Sequence, residues 1–233
     1  MEEILKNGFA QLDVDISERA LEQYRSYYEY LAERNKVMNL TAISGAEDVA
    51  RLHFLDCAAL LGMYDFKAKR LIDVGTGAGF PGLPLKIAEP SIELTLLDSL
   101  NKRVDFLRET CAKLGFEDVT CIHARAEEAP AELRGAYDIA VSRAVARLNT
   151  LCELCLPFLK AGGVFIAMKG PGCAQEVSEA RGAMHILGAE LRDTITYTIP
   201  GTDVSHAAVI IEKVKPTHPM YPRKWAQIKK RPL

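Results

Sequence analysis

The sequence predicts an α/β fold with a parallel sheet, and three observations lead to this prediction. A short apolar stretch at residues 71–74 runs directly into a loop with glycines at positions 75, 77, 79 and 82. From residue 70 onward, short apolar segments alternate with amphipathic ones, as expected for strands joined by crossover helices. The chain has 233 residues and is 48% hydrophobic, so it can bury the core of one such domain.

Helices are predicted in residues 1–65, which we expect to form an extension packed on the core. Ser17 can cap a helix whose apolar residues recur at spacings of three and four up to Leu31. Four tyrosines fall in this segment: Tyr24, Tyr27, Tyr28 and Tyr30. Tyrosines can stack on bases, but at this spacing some of them must face the core, which favours packing.

A second helix is predicted from residue 44, because Ser44 and Glu47 have the spacing of a capping box. Its apolar stripe runs from Val49 to Ala59. His53 and Asp56 lie three residues apart on this helix, so they can share one face. We interpret them as a surface pair rather than as catalytic residues.

The strands and helices of the core are predicted from the spacing of apolar residues and from the positions of glycine and proline. Strands are predicted at residues 71–74, 92–97, 119–122, 137–142, 164–168, 191–199 and 207–214. Helices are predicted at residues 82–88, 101–114, 148–156 and 176–187. These elements make up a domain spanning residues 66–214, with seven strands in its sheet.

The six cysteines show no spacing typical of a metal site or a disulfide framework. Cys152 and Cys155 form a C-x-x-C pair, and no second pair completes a zinc site. We therefore expect packed cysteines and no metal. The N-terminus lacks a signal-peptide pattern and no apolar run approaches membrane length, which predicts a soluble, cytoplasmic protein with no membrane partner. We expect it to be a monomer.

Residues 215–233 form a basic tail on an acidic body. No acid follows Glu212, while residues 1–214 carry a net charge of −8. The cations of the tail are Lys215, Arg223, Lys224, Lys229, Lys230 and Arg231. This distribution fits a contact with a polyanion or a solubilising tail. Trp225 could stack on an unpaired base, or it could pack with Tyr221 against the sheet.

The glycine loop indicates a nucleotide-containing cofactor, and its spacing separates two classes. A dinucleotide fingerprint, G-x-G-x-x-G, counted from Gly75 requires glycine at position 80, where this chain has Phe80. The arrangement present is Asp73 followed by glycines 75, 77 and 79. It resembles motif I of the class I S-adenosylmethionine-dependent methyltransferases, which have a Rossmann-like fold. Gly75 and Gly77 would let the cofactor approach the main chain closely.

Charged residues follow four successive predicted strands, at the edge where ligands of open α/β sheets bind. Asp98 ends the second strand and can accept hydrogen bonds from ribose hydroxyls. Glu127 follows the third strand, where a side chain and a backbone N–H can read an adenine edge. Arg143 and Lys169 follow the fourth and fifth strands. Each alone fits an exposed loop charge, but their recurrence favours a nucleoside site.

A set of motifs extends over most of the chain. They are Asn-Leu-Thr at 39–41, the glycine loop at 73–82, and segments 97–103, 125–127, 142–147 and 169–170. From about residue 20 to the C-terminus, the combination resembles the RsmG family, once called glucose-inhibited division protein B. These are 16S ribosomal RNA guanine-N7 methyltransferases.

The resemblance implies a class I methyltransferase sheet of seven strands, preceded by N-terminal helices. It implies S-adenosyl-L-methionine as cofactor and a guanine in the 530-loop region of 16S rRNA, in the small ribosomal subunit, as substrate. The implied cofactor-binding residues are Gly75, Phe80, Ala126, Glu127 and Arg143. The implied substrate-side residues are Arg125, Arg143 and Lys169. Guanine N7 carries a free lone pair, so no catalytic acid or base is assigned.

Two other functions stay compatible with these residues. An NAD-dependent oxidoreductase would also use Asp98, but it requires a glycine in place of Phe80. A non-catalytic RNA-binding or assembly factor could retain a degenerate methyltransferase fold. The intact loop at residues 73–79, together with Asp98, argues against such decay.

Overall fold

The computed structural model describes residues 1–143 and 146–233, which form a seven-stranded sheet between two apolar clusters. The strands are β1 (Arg70–Val74), β2 (Glu93–Asp98), β3 (Thr120–His123), β4 (Tyr137–Arg143), β5 (Leu159–Lys169), β6 (Ala189–Thr198) and β7 (Ser205–Lys213). Their spatial order is β3-β2-β1-β4-β5-β7-β6. All seven predicted strands are present, and β5 begins earlier than predicted.

The last strand departs from the predicted parallel sheet. β7 is antiparallel to both of its neighbours, β5 and β6, whereas β1 to β5 pair in parallel. Parallel neighbours need a crossover of about a dozen residues or more. Residues 199–204, which connect β6 to β7, are too few for such a crossover, so these two strands form a hairpin.

The helices lie on both faces of the sheet, α5 and α6 in one apolar cluster and α7 and α8 in the other. They are α1 (Glu2–Gln11), α2 (Glu18–Met38), α3 (Ala46–Val49), α4 (Asp56–Ala58), α5 (Gly82–Ala88), α6 (Asn101–Leu114), α7 (Leu148–Cys155), α8 (Ala174–Ile186) and α9 (Trp225–Lys230). A π-helical segment, Ala50–Leu55, joins α3 to α4. The four helices predicted for the core are confirmed as α5 to α8.

The N-terminal helices pack on the core through tyrosines of α2. Tyr24 and Tyr27 are fully buried. The Tyr24 hydroxyl donates to the Pro84 carbonyl at 2.7 Å, and the Tyr27 hydroxyl donates to the Ala78 carbonyl at 2.5 Å. The prediction that these tyrosines serve packing is confirmed, and their hydroxyls fix α2 against the glycine loop and α5.

The predicted capping box at Ser44 is wrong. Gly45, with φ of 96°, occupies the N-cap of α3, and no side chain caps this helix. The Glu47 carboxylate accepts a hydrogen bond from the Arg51 guanidinium at 2.9 Å, one turn further along. The Glu47 carboxylate, which a capping box would need, is thus bound to Arg51 at spacing i, i+4 instead.

The structure was searched for metal-binding groups and for helices that could span a membrane, and the C-x-x-C pair was located. Cys152 and Cys155 are fully buried on α7, as expected for packing. Within residues 1–143 and 146–233, no group of three or more His, Cys, Asp or Glu is placed to hold a metal ion. No helix in the same ranges is both long enough and apolar enough to cross a membrane.

The basic tail is packed on the core, as predicted by the alternative in which Trp225 packs with Tyr221 against the sheet. The Arg223 main-chain N–H and Nε each donate to the fully buried Glu153 carboxylate at 2.8 Å. The Arg134 guanidinium donates to the Tyr221 carbonyl at 2.5 Å. Ile228 of α9 is fully buried. Lysines 224, 229 and 230 stay exposed, so the tail combines an anchored inner side with a cationic outer side.

Candidate active site

The loop after β1 turns sharply because three of its glycines adopt left-handed conformations. Gly75, Gly77 and Gly79 have φ of 72°, 62° and 107°, a region that residues with a Cβ rarely enter. A Cβ at Gly77 would meet open space, whereas a Cβ at Gly79 would lie 2.7 Å from the Tyr27 hydroxyl. Gly77 therefore leaves room for a ligand, while Gly79 is required by packing.

Asp98, at the end of β2, is fixed against this loop and is only 3% exposed. Its carboxylate accepts hydrogen bonds from the main-chain N–H groups of Gly77 and Leu100, both at 2.9 Å. The Arg103 guanidinium lies 3.5 Å away. A carboxylate has about four acceptor sites, so Asp98 can still accept from a ribose hydroxyl.

Asp73, beneath the loop, is a fully buried carboxyl group. Its Oδ2 accepts from the Thr76 hydroxyl at 2.7 Å and from the Gly82 N–H at 2.8 Å. Its Oδ1 has no donor among the described residues. Burial raises the pKa of this group to about 7, against the two hydrogen bonds that favour its charged form. An unpaired buried carboxyl oxygen favours a cationic ligand nearby, which would stabilise the charged form.

A cavity of about 250 Å³, which we call the cofactor cavity, lies between the glycine loop and the ends of β2 and β3. Its lining includes Gly75, Asp98, Ala126, Glu127, Arg125 and Trp225. The Glu127 side chain is 3% exposed and accepts from Arg125 Nε at 2.5 Å. The Arg125 guanidinium lies 5.1 Å from the centre of the Trp225 ring. Two nearly buried carboxylates thus line this cavity.

A second cavity of about 480 Å³, which we call the base pocket, lies next to the end of β4. Its lining includes Leu52, His53, Asp56, Arg143, Lys169 and His206. The Ser142 hydroxyl donates to the Val74 carbonyl at 2.8 Å, which ties the end of β4 to the end of β1. The two cavities therefore open at neighbouring strand ends.

The fully buried carboxylate of Asp56 organises the base pocket. It accepts from Arg143 Nη1 at 3.0 Å, from His206 Nδ1 at 2.8 Å and from the Tyr197 hydroxyl at 2.8 Å. Arg143 Nη2 also donates to His53 Nδ1 at 2.7 Å. Buried charge is tolerated when it is paired and hydrogen-bonded, and this network meets both conditions. It holds α4, β4 and the β6–β7 hairpin together around one pocket.

The pKa values of the two histidines of the pocket are shifted in opposite directions. Burial and the adjacent Arg143 guanidinium lower the pKa of His53 to about 3. His53 is therefore neutral, accepting at Nδ1 from Arg143 and donating from Nε2 to the Thr41 hydroxyl at 2.8 Å. The hydrogen bond to Asp56 raises the pKa of His206 above its ordinary value. His206 Nε2 has no protein partner among the described residues, so it can donate to a ligand.

Phe80 packs against two residues of the base pocket, His53 and Arg143, whereas Lys169 lies in the pocket wall itself. The Phe80 ring is 6% exposed and stacks on His53, with 4.3 Å between ring centres. Its side chain does not line the cofactor cavity. Lys169 Nζ donates to the Ala146 carbonyl at 2.7 Å and lies 2.7 Å from a Glu176 oxygen. Lys169 is thus held at the pocket wall, where its charge is partly balanced.

The predicted site residues divide between the two cavities. The cofactor cavity has Gly75, Asp98, Ala126 and Glu127 in its wall, and Gly77 is bonded to Asp98. The base pocket has Arg143 and Lys169. Arg125 was expected on the substrate side together with these two, yet it lines the cofactor cavity. Phe80 and Arg143 meet each other, 5.0 Å from guanidinium carbon to ring centre, behind the loop.

The interpretation of His53 and Asp56 as a surface pair is wrong, because they are 6% and 0% exposed. Both do fall on one face, as their spacing predicts, but the hairpin covers that face. Tyr197 and His206, which complete the network, were missed. They are paired across the β6–β7 ladder, and a polar residue at the start of an apolar strand was the available signal.

The cofactor cavity fits S-adenosylmethionine, which carries ribose hydroxyls, an adenine amino group, an ammonium and a sulfonium. Asp98 keeps acceptor capacity for hydroxyls, and Gly77 leaves open space at the main chain. Glu127 supplies a second carboxylate at the far wall. The unpaired oxygen of Asp73 lies beneath the loop, and a cation bound nearby would favour the charged form of this carboxyl. The chemistry of this donor set therefore suits a cationic nucleoside.

Solved structures share this fold. M. jannaschii TYW2, solved in complex with AdoMet, aligns with a TM-score of 0.58 at 15% identity, covering 74% of this chain and 80% of that one. A mutant of the 16S rRNA (adenine(1408)-N(1))-methyltransferase from Catenulisporales acidiphilia aligns with a TM-score of 0.52 at 17% identity, covering 66% and 88%. These likenesses show the fold of the class I S-adenosylmethionine-dependent methyltransferases, and the chemistry of the cofactor cavity suits the cofactor of that class.

Sequence relatives identify the family within this class. A family model described as rRNA small subunit methyltransferase G matches residues 20–200. Ribosomal RNA small subunit methyltransferase G of Alkaliphilus metalliredigens is 46% identical over 233 residues, 99% of this chain and 98% of that protein. The protein of the same name from Clostridium perfringens is 43% identical, with coverage of 99% and 98%. The chain belongs to the rRNA small subunit methyltransferase G family, as the resemblance of its motifs predicts.

Proposed function

We propose that this protein transfers the methyl group of S-adenosylmethionine to N7 of a guanine in the RNA of the small ribosomal subunit, in the 530-loop region. The observation that carries the proposal is the juxtaposition of two unlike cavities at neighbouring strand ends. One is lined by Asp98 and Glu127, and the other by Arg143, Lys169 and His206. The family membership supports the same conclusion.

The reaction depends mainly on how the enzyme positions the two reactants. S-adenosylmethionine supplies an electrophilic methyl group, and guanine N7 offers a lone pair that needs no base to expose it. Holding two reactants in line can contribute about 7–11 kcal/mol to lowering the barrier. Attack places positive charge on the purine, so a nearby cation does not stabilise that charge. We therefore assign Arg143 and Lys169 to binding rather than to acid–base chemistry.

Guanine is favoured over adenine by the donors in the base pocket. Guanine has an acceptor at O6 next to N7, where adenine has a donor amino group. His206 Nε2 and Lys169 Nζ can donate to a base in the pocket, and Asp56 fixes the orientation of His206. The target base must leave its stack to reach such a pocket. An adenine amino group would leave these donors without an acceptor.

The proposal is tested by incubating purified protein with radiolabelled S-adenosylmethionine and small subunits that lack the modification. Label is expected at N7 of a single guanine, located by chemical cleavage at methylated guanines. Subunits that already carry the modification are the control. Binding of the RNA without any transfer of label would instead support the alternative, a non-catalytic assembly factor on this fold.

Three further predictions belong to this proposal. We expect the substrate to keep the enzyme in the cytoplasm, because that is where bacterial ribosomes assemble. We expect a monomer, as in the sequence analysis. We retain residues 1–65 as an extension, 66–214 as the methyltransferase domain and 215–233 as the tail, although the extension and the tail are both packed on the domain.

A further inference from the structure

The chain has one tryptophan, Trp225, and it lies at the cofactor cavity rather than on the outer surface of the tail. It is the first residue of α9, and it is partly buried against the apolar cluster that contains α7 and α8. Asp98 and Glu127 line the same cavity. The Trp225 ring therefore lies beside Asp98 and Glu127 in space, although it is far from both of them in sequence.

The position of the ring is fixed from both ends of its segment. On one side, three donors of Arg223 bind the fully buried Glu153, the shortest contact being Nη2 to Oε2 at 2.5 Å. On the other side, Ile228 is fully buried. A buried ion pair and a buried aliphatic side chain within a few residues of each other leave Trp225 little freedom to leave the cavity wall.

The ring is also tied to the polar wall of the cavity. Arg125 lies over Trp225 at 5.1 Å and binds Glu127 through Nε at 2.5 Å. The ring, the guanidinium and the carboxylate form one connected wall. Cation–π contact with Arg holds the indole in a defined orientation, and Glu127 holds the Arg in turn.

From this arrangement we propose that Trp225 is a cofactor-binding residue that contacts the adenosine half of S-adenosylmethionine. The proposal rests on the function proposed above. The adenosine half is assigned because Asp98, the ribose acceptor, and Glu127, at the adenine edge, line the cavity with Trp225. An indole offers a purine ring apolar contact area and π contact, and loss of such base–aromatic contacts typically weakens binding by about tenfold.

A single tryptophan makes the test direct. The full-length protein is titrated with S-adenosylhomocysteine, which lacks the transferable methyl group, and the emission of Trp225 is followed while calorimetry gives the binding constant independently. We expect a saturable change in emission with the calorimetric affinity and reduced quenching by acrylamide in the complex. Emission that stays constant at calorimetric saturation overturns the proposal.

Variants of Trp225 distinguish a direct contact with the cofactor from an indirect effect on folding. Trp225→Ala is expected to weaken S-adenosylhomocysteine binding by about tenfold in calorimetry, and Trp225→Phe by less than about threefold. Gln227→Ala, a change at an exposed residue of the same helix, serves as the matched control and should bind as wild type does. If Trp225→Ala binds S-adenosylhomocysteine as tightly as wild type does, the proposal fails, and weakened RNA binding in that variant would assign the ring to RNA. Absence of calorimetric binding to wild type would instead count against the proposed function itself.

Discussion

The two cavities share the carboxyl edge of one sheet but are built in opposite ways. The cofactor cavity has acids in its wall, Asp98 and Glu127, each held by main-chain N–H groups or by an adjacent arginine. The base pocket has basic side chains in its wall, and a single buried acid, Asp56, holds two of them, Arg143 and His206, in place. The difference matches the charges of the ligands that we propose for the two cavities, since the cofactor is a cation and RNA is a polyanion.

The cavities also differ in how much of the fold they depend on. Asp98 contacts Gly77 and Leu100, which belong to the adjacent strand–loop unit. Asp56 contacts residues 87 to 150 positions away, from β4, β6 and β7. Removing an acid should therefore damage ligand binding in the first cavity and the stability of the whole protein in the second.

The largest expected effect is that of Asp56→Ala on stability. Removing one partner of a buried ion pair leaves the other charge uncompensated and typically costs about 3–5 kcal/mol. For a chain of this length that corresponds to a melting temperature lower by roughly 10 °C. Thermal unfolding followed by circular dichroism measures it.

Asp105→Ala is the matched control for Asp56→Ala, because the Asp105 side chain is 49% exposed and pairs with Arg108 at 3.0 Å on the surface of α6. Its loss should change stability by less than about 1 kcal/mol. Equal melting temperatures for the two variants would show that the Asp56 network does not support the fold.

The next largest effect is that of Asp98→Asn on cofactor binding. The amide keeps an acceptor for one main-chain N–H but loses the charge and an acceptor oxygen, so affinity for S-adenosylmethionine should fall by about 1.5–3 kcal/mol, or roughly ten- to a hundredfold. Calorimetry gives the value, and melting curves check the fold. Wild-type affinity in a folded variant would remove Asp98 from the cofactor site.

The same contrast explains which parts of the site the sequence could predict. Asp98, Glu127 and the glycines were found because each follows a strand end, and strand ends can be located from the apolar pattern. The partners of Asp56 could not be found in this way. Tyr197 and His206 reach Asp56 only because β6 and β7 form a hairpin. The short connection between the two predicted strands implies this hairpin, but the alternation of strands and helices led to the prediction of a parallel sheet.

The way in which the tail is anchored could not be predicted from the sequence either. Its six cations were visible in the sequence, but its anchoring depends on Glu153, an acid within an apolar helix. A buried Glu in such a helix does signal a missing partner, although the sequence does not say which cation supplies it. The Ser44 prediction failed for a local reason, because the pairing of Glu47 with Arg51 competes with capping.

A reciprocal pair of variants tests whether the cavities are functionally separate. Arg125→Ala should weaken cofactor binding by about fivefold, because Arg125 supports Glu127, and should leave RNA affinity unchanged. Lys169→Ala should lower kcat/KM for RNA methylation by about tenfold, with the affinity for S-adenosylmethionine unchanged. Calorimetry and methyl-transfer assays measure the two quantities. A loss of RNA affinity in Arg125→Ala would join the two cavities into one substrate site.

The smallest expected effect concerns the outer side of the tail. Lys229 and Lys230 are exposed on α9, beside the wall of the cofactor cavity, so they can reach RNA phosphates without disturbing the anchor formed by Arg223. Each phosphate contact with single-stranded RNA contributes about 0.7 to the slope of log affinity against log salt. The double variant Lys229→Gln, Lys230→Gln should therefore lower this slope by about 1.4 with the melting temperature unchanged.

The control is a second double variant, Lys67→Gln with Lys160→Gln. It removes equal charge near the amino ends of β1 and β5, at the opposite edge of the sheet, and should leave the slope as in wild type. If both double variants lower the slope equally, the effect comes from net charge, and the tail makes no phosphate contacts of its own.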